Sequence, residues 1–368
     1  MKKYLTPEVN TIFIMLGRRC NFNCRYCMQL NSSDKLDKLP TEINEDIYDF
    51  ITDIADNQNN PLYIHFYGGE PLVYIKKIKE IVKHLDHKNI KFSVITNGSL
   101  ITSKIADYLN EHDFGVAVSW DGYKSIETRK HDVIKENLSN LLKINKLSIS
   151  AVLSHYAYPM QILEDVQELD NLYREKTGNH LGINIDEIFD CELVDRSLLD
   201  VDYNRVRSEI TKLTKMTLLY LSNKLKVKDQ SDFDSKYYTK VNFILPYINR
   251  IRSIIKNKYK LRTNICYCSN GLQVLNLDLE GNLYSCHNCD IKLGNIYSNY
   301  YDYLNEVISN DCTSYFYKKM CNNCSVNLLC QGGCKLISES ARNETYCKLK
   351  RAVFEPIIEG IIEYSKTV

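Results

Sequence analysis

The 368-residue chain is 44% hydrophobic and 25% charged, a globular composition with room for one large α/β core and a smaller unit. Its 47 basic and 46 acidic residues leave a net charge of +1, which removes any global electrostatic case for nucleic acid. No stretch approaches the ~18 apolar residues of a membrane span, and the start Met-Lys-Lys-Tyr-Leu-Thr-Pro lacks a signal peptide's apolar core, so the 14 cysteines indicate a reducing, cytoplasmic compartment.

In chain order, β-rich runs alternate with helical periods: Thr11 to Leu16, Leu62 to Tyr67, Lys91 to Thr96, Gly115 to Trp120, Leu147 to Leu153 and Gly182 to Phe189. Between the first runs, Ile43, Ile47, Phe50, Ile51 and Ile54 share one helix face, with Thr41 as N-cap, and Ile75, Ile78, Val82 and Leu85 share the next. Six βα units predict an α/β fold, a partial (β/α)6 TIM-like barrel over residues 1–195, with ligands gathering at the carboxyl ends of the strands. Residues 196–260 read as a lysine-rich helical bridge. Over 261–347 cysteines and glycines become dense and helical periodicity weakens, which predicts a small domain held by metal rather than by an apolar core. Residues 348–368 carry a C-terminal helix, clearest from Phe354 to Tyr364.

Four of the predicted strand ends carry polar or cysteine-bearing loops. After strand one, Cys20-x3-Cys24-x2-Cys27 packs three thiolates into eight residues, a spacing suited to a 4Fe-4S cubane with one iron left open. A zinc site is the alternative, but it wants four closed ligands, and the nearest histidine, His65, lies well outside the loop. Gly68-Gly69-Glu70-Pro71 follows strand two, Thr96-Asn97-Gly98 strand three, and Ser119-Trp120-Asp121-Gly122 ends strand four.

The triplet, with Tyr26 before its last cysteine, and the Gly68 to Pro71 loop resemble the radical S-adenosylmethionine (radical SAM) enzymes. That resemblance implies that Gly68, Gly69, Glu70 and Pro71 bind the SAM amino group, glycine permitting close backbone approach and Glu70 supplying an anionic acceptor. It implies ribose or carboxylate contacts from Thr96, Asn97, Ser119 and Asp121, although strand-end turns commonly use such residues. Arg129 is a partner for the SAM carboxylate or, alternatively, a surface helix arginine. The implied chemistry is reductive cleavage of SAM to methionine and a 5′-deoxyadenosyl radical that takes hydrogen from a substrate carbon.

Cys268-x12-Gly281-x4-Cys286, Cys321-x2-Cys324-x5-Cys330-x3-Cys334 and Cys347 are similar to the SPASM extension of radical SAM peptide and protein maturases. By that resemblance Cys321, Cys324, Cys330 and Cys347 hold one auxiliary 4Fe-4S cluster. Cys268, Cys286 and Cys334 hold another, with Cys266 or Cys289 as fourth ligand or with an open iron. A zinc knuckle of Cys321, Cys324, Cys330 and Cys334 is the competing reading, which leaves Cys268, Cys286 and Cys347 unused. Cys191, after strand six, either faces the substrate or is a buried free thiol, and Cys312 reads as an unligated thiol.

The resemblance points to peptide maturation by a crosslink. Formylglycine formation on a sulfatase and small-molecule dehydrogenation are alternatives within the same chemistry, and an iron-sulfur electron carrier or redox sensor is a different class. Sulfatase maturases carry an acidic residue after the second-field cysteine; here His287 stands there, a residue that can also take a proton. The implied partners are a peptide or protein substrate and a reductant such as flavodoxin or ferredoxin. Only 19 residues precede Cys20, so a leader-binding protein would be separate.

Overall fold

The computed structural model describes residues 9–29, 42–86, 89–190, 194–256, 271–311, 319–334, 336–337, 340 and 342–366. In chain order β1 (Thr11–Met15), α1 (Asp46–Asp56), β2 (Leu62–Tyr67), α2 (Ile75–His84), β3 (Ile90–Thr96), α3 (Ser103–Glu111), β4 (Gly115–Ser119), α4 (Ser125–Arg129), α5 (Val133–Leu141), β5 (Leu147–Leu153), α6 (Pro159–Thr177) and β6 (Gly182–Glu187) build a parallel sheet with helical crossovers. The strands run side by side in the order β6-β5-β4-β3-β2-β1. Each expected strand is present, its ends within about two residues of the sequence boundaries, because period-2 alternation of β-branched residues is preserved along each.

That alternation divides the sheet into two faces. Ile64, Phe66, Val94, Val116, Val118 and Ile149 are buried against the helices. The opposite face carries Phe13, His65 and Ser93 in one register and Ala117 and Ser148 in the next. His65, Ser93, Ala117 and Ser148 line a cavity of about 1090 Å³, with His180 and Tyr238 also on its wall. Small side chains on β3 to β5 keep that face open. The helices dock by the expected stripes: α1 buries Ile47, Ile51 and Ile54, and α2 buries Ile78, Ile81 and Val82. The Thr41 cap lies outside the described residues.

The bridge consists of α7 (Tyr203–Leu221), α8 (Gln230–Lys236) and α9 (Tyr238–Ile255). Asp202 caps α7 by accepting from the Asn204 and Arg205 amides at 3.0 Å each. The C-terminal helix runs from Cys347 to Ser365, starting well before Phe354, and packs on α7, where Arg207 pairs with Glu355 (2.8 Å) and Glu359 (2.5 Å).

The segment expected to form a metal-held domain without an apolar core is built differently. β7 (Val274–Asp278) pairs in parallel with β1, and β8 (Asn282–Tyr284) and β9 (Lys292–Asn295) follow antiparallel, giving a sheet of nine strands among the described residues. Leu275, Leu277, Leu279, Leu283 and Leu293 are at most 1% exposed and belong to the barrel's own core. The physical reason is the free edge of β1, whose hydrogen-bonding groups β7 satisfies. Beyond β9 lie α10 (Tyr300–Asp311) and short helices at Lys319–Asn322 and Asn327–Cys330. No helix among the described residues is long and apolar enough to cross a membrane.

Candidate active site

The cysteine loop is positioned by backbone contact before any side chain acts. Leu16 N–H donates to the Tyr67 carbonyl (3.1 Å), Gly69 N–H to Gly17 (3.0 Å) and Glu70 N–H to Arg19 (2.8 Å), so the β1 and β2 loops are laced together. Gly68 sits at φ +152° against the Gly17 carbonyl, and Gly69 against the carbonyls of Arg18 and Arg19. The close approach that requires glycine is therefore made to the chain's own cysteine loop.

Glu70, 1% exposed, is a clamp. One carboxylate oxygen accepts from Thr96 Oγ1 (2.7 Å) and the Leu72 amide (3.0 Å), the other from the Asn97 amide (2.7 Å), holding the β2 loop to the end of β3. Both carboxylate oxygens of Glu70 thus serve protein donors. Burial raises its pKa, and those three donors oppose the rise. Pro71 begins the 3-10 turn Pro71–Tyr74 that Glu70 caps. Asn97 Nδ2 donates to Asn21 Oδ1 (2.8 Å), inside the cysteine loop, while Thr96 Oγ1 accepts from Gly98 N–H (3.0 Å).

Asp121 is the second hub and is 1% exposed. Arg129 reaches it through Nε and Nη2 at 3.1 Å each, Tyr26 Oη and Thr128 Oγ1 donate at 2.6 Å, and the Val152 amide at 2.8 Å. Arg129 is thus buried rather than a surface helix arginine, and the carboxylate it pairs with is the protein's own. Its guanidinium also lies over the Tyr26 ring, 5.1 Å from the centroid. Ser119 stands half-buried at the end of β4, in register with Ser150.

Residues not singled out from sequence complete the frame. Arg25 donates to Asp195 (2.9 Å), the Glu127 carbonyl (2.7 Å) and Ser197 (2.7 Å), tying the cysteine loop to α4 and to the segment after β6. Amide N–H groups two residues on donate to the sulfurs of Cys20 (Phe22, 3.3 Å), Cys27 (Gln29, 3.4 Å) and Cys286 (Asn288, 3.4 Å), the kind of bond that tunes iron-sulfur ligands. Burial pushes the Cys24 thiol up to about 11, opposed by Arg129 and reinforced by Cys27 and Cys20; Cys20 is raised by burial as well. Buried, mutually close thiols of this kind are ionised by binding a metal cation.

The second cysteine field falls into two groups. Cys321, Cys324, Cys330 and Cys347 line a cavity of about 280 Å³ together with Arg342 and Lys350. Cys334 does not line it; its thiol acts on Cys286, which hydrogen-bonds to Cys289. The four-cysteine zinc knuckle containing Cys334 is therefore not the set that surrounds the cavity. Among the described residues no three His, Cys, Asp or Glu side chains close on one point as ligands of a single ion would. Cys191, Cys266, Cys268 and Cys312 lie outside the described residues.

Between the two fields stands Tyr67, close enough to both Cys27 and Cys286 for each to raise its pKa. Its hydroxyl and Gln29 Nε2 both donate to Asn288 Oδ1, at 3.2 and 3.1 Å. His287 stacks on Phe13 (4.5 Å, 24°), which stacks in turn on His65 (5.0 Å, 25°). Asn276 Oδ1 lies 3.2 Å from His287 Nδ1, and burial lowers the imidazole to about 4, so it is neutral at physiological pH.

Residues 14–173 match the Radical SAM superfamily, so the barrel carries a radical SAM domain, the kind that uses a 4Fe-4S cluster and S-adenosylmethionine. The radical SAM cyclopropyl synthase TigE of Paramaledivibacter caminithermalis is 31% identical over 203 residues, 48% of this chain and 42% of that protein. The cysteine-type anaerobic sulfatase-maturating enzyme of Clostridium perfringens is 28% identical over 155 residues, 40% of this chain and 41% of that one. The matched regions thus span less than half of these relatives. In fold, anSMEcpe with bound AdoMet superposes over 97% of this chain and 99% of its own (TM-score 0.63, 18% identity). Streptococcus suis SuiB bound to its precursor peptide SuiA superposes over 90% and 73% (TM-score 0.58, 15% identity).

Proposed function

We propose that this chain oxidatively modifies a peptide, forming a crosslink, by radical SAM chemistry. The observation that carries the reading is the lacing of the Cys20 to Cys27 loop onto Gly68, Gly69 and Glu70 at the carboxyl edge of the sheet, beside a second cysteine field. Cys20, Cys24 and Cys27 hold the cluster with one iron open. When bound, that cluster and S-adenosylmethionine supply a 5′-deoxyadenosyl radical able to take hydrogen from an unactivated carbon. Gly68 to Pro71, Thr96, Asn97 and Ser119 shape the SAM site, and Tyr26, Asp121 and Arg129 form a buried charge-paired wall that orients it. Cys321, Cys324, Cys330 and Cys347 hold one auxiliary cluster, and Cys286 and Cys334 with Cys268 hold part of another, Cys289 or Cys266 completing it.

The reading draws support from the 31% identity to TigE, a radical SAM cyclopropyl synthase, over 203 residues. Formylglycine formation is the second reading, favoured by the likeness to sulfatase-maturating enzymes. His287, neutral where those enzymes carry a carboxylate, and Cys191 are the substrate-side candidates. A flavodoxin or ferredoxin would supply the electron.

The test is anaerobic turnover with the short peptide encoded beside the gene. Mass spectrometry is expected to show loss of about two hydrogens together with 5′-deoxyadenosine. An unchanged peptide, with a sulfatase peptide modified instead, would overturn the crosslinking reading.

A further inference from the structure

The cavity bounded by Cys321, Cys324, Cys330 and Cys347 is walled by cations of different kinds. Arg342 is 2% exposed, donates to the carbonyls of Gly332 (2.6 Å) and Cys334, and sets its charge against Cys347. Arg351 is exposed and bonds to the Cys324 sulfur from the rim, where salt screens it. Lys348, on the same wall, is exposed as well. Lys350 differs from all three. It is 5% exposed, its ammonium lies over the rings of Phe354 (5.2 Å) and Tyr346 (5.5 Å), and it pairs at 2.5 Å with Glu187 on β6. Glu187 does not line the cavity; it acts on Cys330 against the lysine but more weakly, so the pair still presents its positive end to the cysteines.

A buried ion pair is a poor device for stability, because desolvating two charges offsets most of their attraction. Its orientation is the informative feature. A cluster held by four thiolates becomes more negative on reduction, and potentials of such clusters follow local charge and solvent exposure. A desolvated ammonium at the wall stabilises the reduced form far more than a screened rim arginine does.

We propose that Lys350, held by Glu187, is a positioning charge that raises the reduction potential of the cluster in this cavity and fixes it against changes in ionic strength. The inference rests on assigning a 4Fe-4S cluster to Cys321, Cys324, Cys330 and Cys347. Potentiometric titration monitored by electron paramagnetic resonance tests it in the full chain, anaerobically reconstituted, with Cys20, Cys24, Cys27, Cys286 and Cys334 replaced by Ala to remove the overlapping signals of the other clusters.

Lys350→Met is expected to lower the midpoint by at least tenfold in the equilibrium constant for reduction, about 59 mV for one electron. Lys350→Arg, which keeps the charge, should stay near the parent. Arg351→Met should shift the midpoint less, and its shift should fade as salt is raised. Should Lys350→Met fail to load, Lys350→Met/Glu187→Met removes the orphaned carboxylate, and its midpoint decides. An unchanged midpoint in loaded Lys350→Met overturns the proposal, as does an equal drop in Lys350→Arg or failure of the double variant to load. Failure of the cluster assignment itself reads differently: Cys347→Ala would then leave iron and sulfide content unchanged.

Discussion

Gly69→Ala adds one methyl group at the contact between the two loops that build the site. Its Cβ would lie 2.7 Å from the Arg18 carbonyl carbon and closer still to the Arg18 and Arg19 oxygens, inside the 3.0 Å that real Cβ atoms keep. The atoms it meets are backbone, so no rotamer change relieves the clash, and the cysteine loop must move by more than about 0.3 Å relative to the β2 loop. Overpacking of this kind costs about 1–3 kcal/mol, and weakening the Gly69–Gly17 and Glu70–Arg19 hydrogen bonds adds about 1 kcal/mol. A displacement of ~1 Å near reacting groups costs about a hundredfold in rate, so a partial shift is expected to reduce 5′-deoxyadenosine formation by about 10–100-fold. Gly178→Ala is the control. It meets open space at φ +75° and should cost about 1 kcal/mol without touching turnover. The assay is anaerobic SAM cleavage with dithionite, quantified by chromatography and normalised to bound iron, beside urea unfolding of both variants. Wild-type cleavage by Gly69→Ala would refute the view that glycine serves the loop-to-loop approach here.

Iron counting should separate the second cysteine field into its two groups. Cys347→Ala and Cys330→Ala are each expected to lose about four irons, as are Cys286→Ala and Cys334→Ala, while Cys330→Ala/Cys347→Ala loses no more than either alone; pairing across groups, as in Cys286→Ala/Cys347→Ala, should lose both sets. In the apoprotein, His287 carries a pKa lowered to about 4 against 6.5 when unfolded. The folded state therefore binds fewer protons, and stability falls as pH drops from about 6.5 towards 4. His287→Phe should flatten that limb of a urea-unfolding pH series by about 1–3 kcal/mol, and an unaltered slope would contradict the buried neutral imidazole.

The barrel was legible because its signals are local. Runs such as Lys-Phe-Ser-Val-Ile-Thr at 91–96 alternate in register with the faces they occupy, and cysteine spacing reports chemistry without any knowledge of fold. What escaped is long-range. Val-Leu-Asn-Leu-Asp at 274–278 has the same period-2 pattern as the earlier strands, yet nothing in it announces that Thr11 is its partner. Nothing local to Glu70 or Asp121 announces the protein donors that burial obliges each carboxylate to find. Arg25 and Lys350 carried no local signal, since their partners lie 170 and 163 positions away.

β6 shows what two-residue periodicity can separate. Asn184 and Asp186 are exposed and bonded to each other at 2.9 Å, whereas Ile185 and Glu187 are buried on the other face, where Glu187 meets the lysine at the cysteine-lined cavity. The strand is thus a partition one residue thick, with carboxylates of adjacent residues assigned to opposite compartments. A one-residue slip would exchange them, stranding the ammonium without its counterion and turning Glu187 onto the face that carries Ser148. The spacing between these compartments is therefore written into strand register, which no side-chain substitution can lengthen.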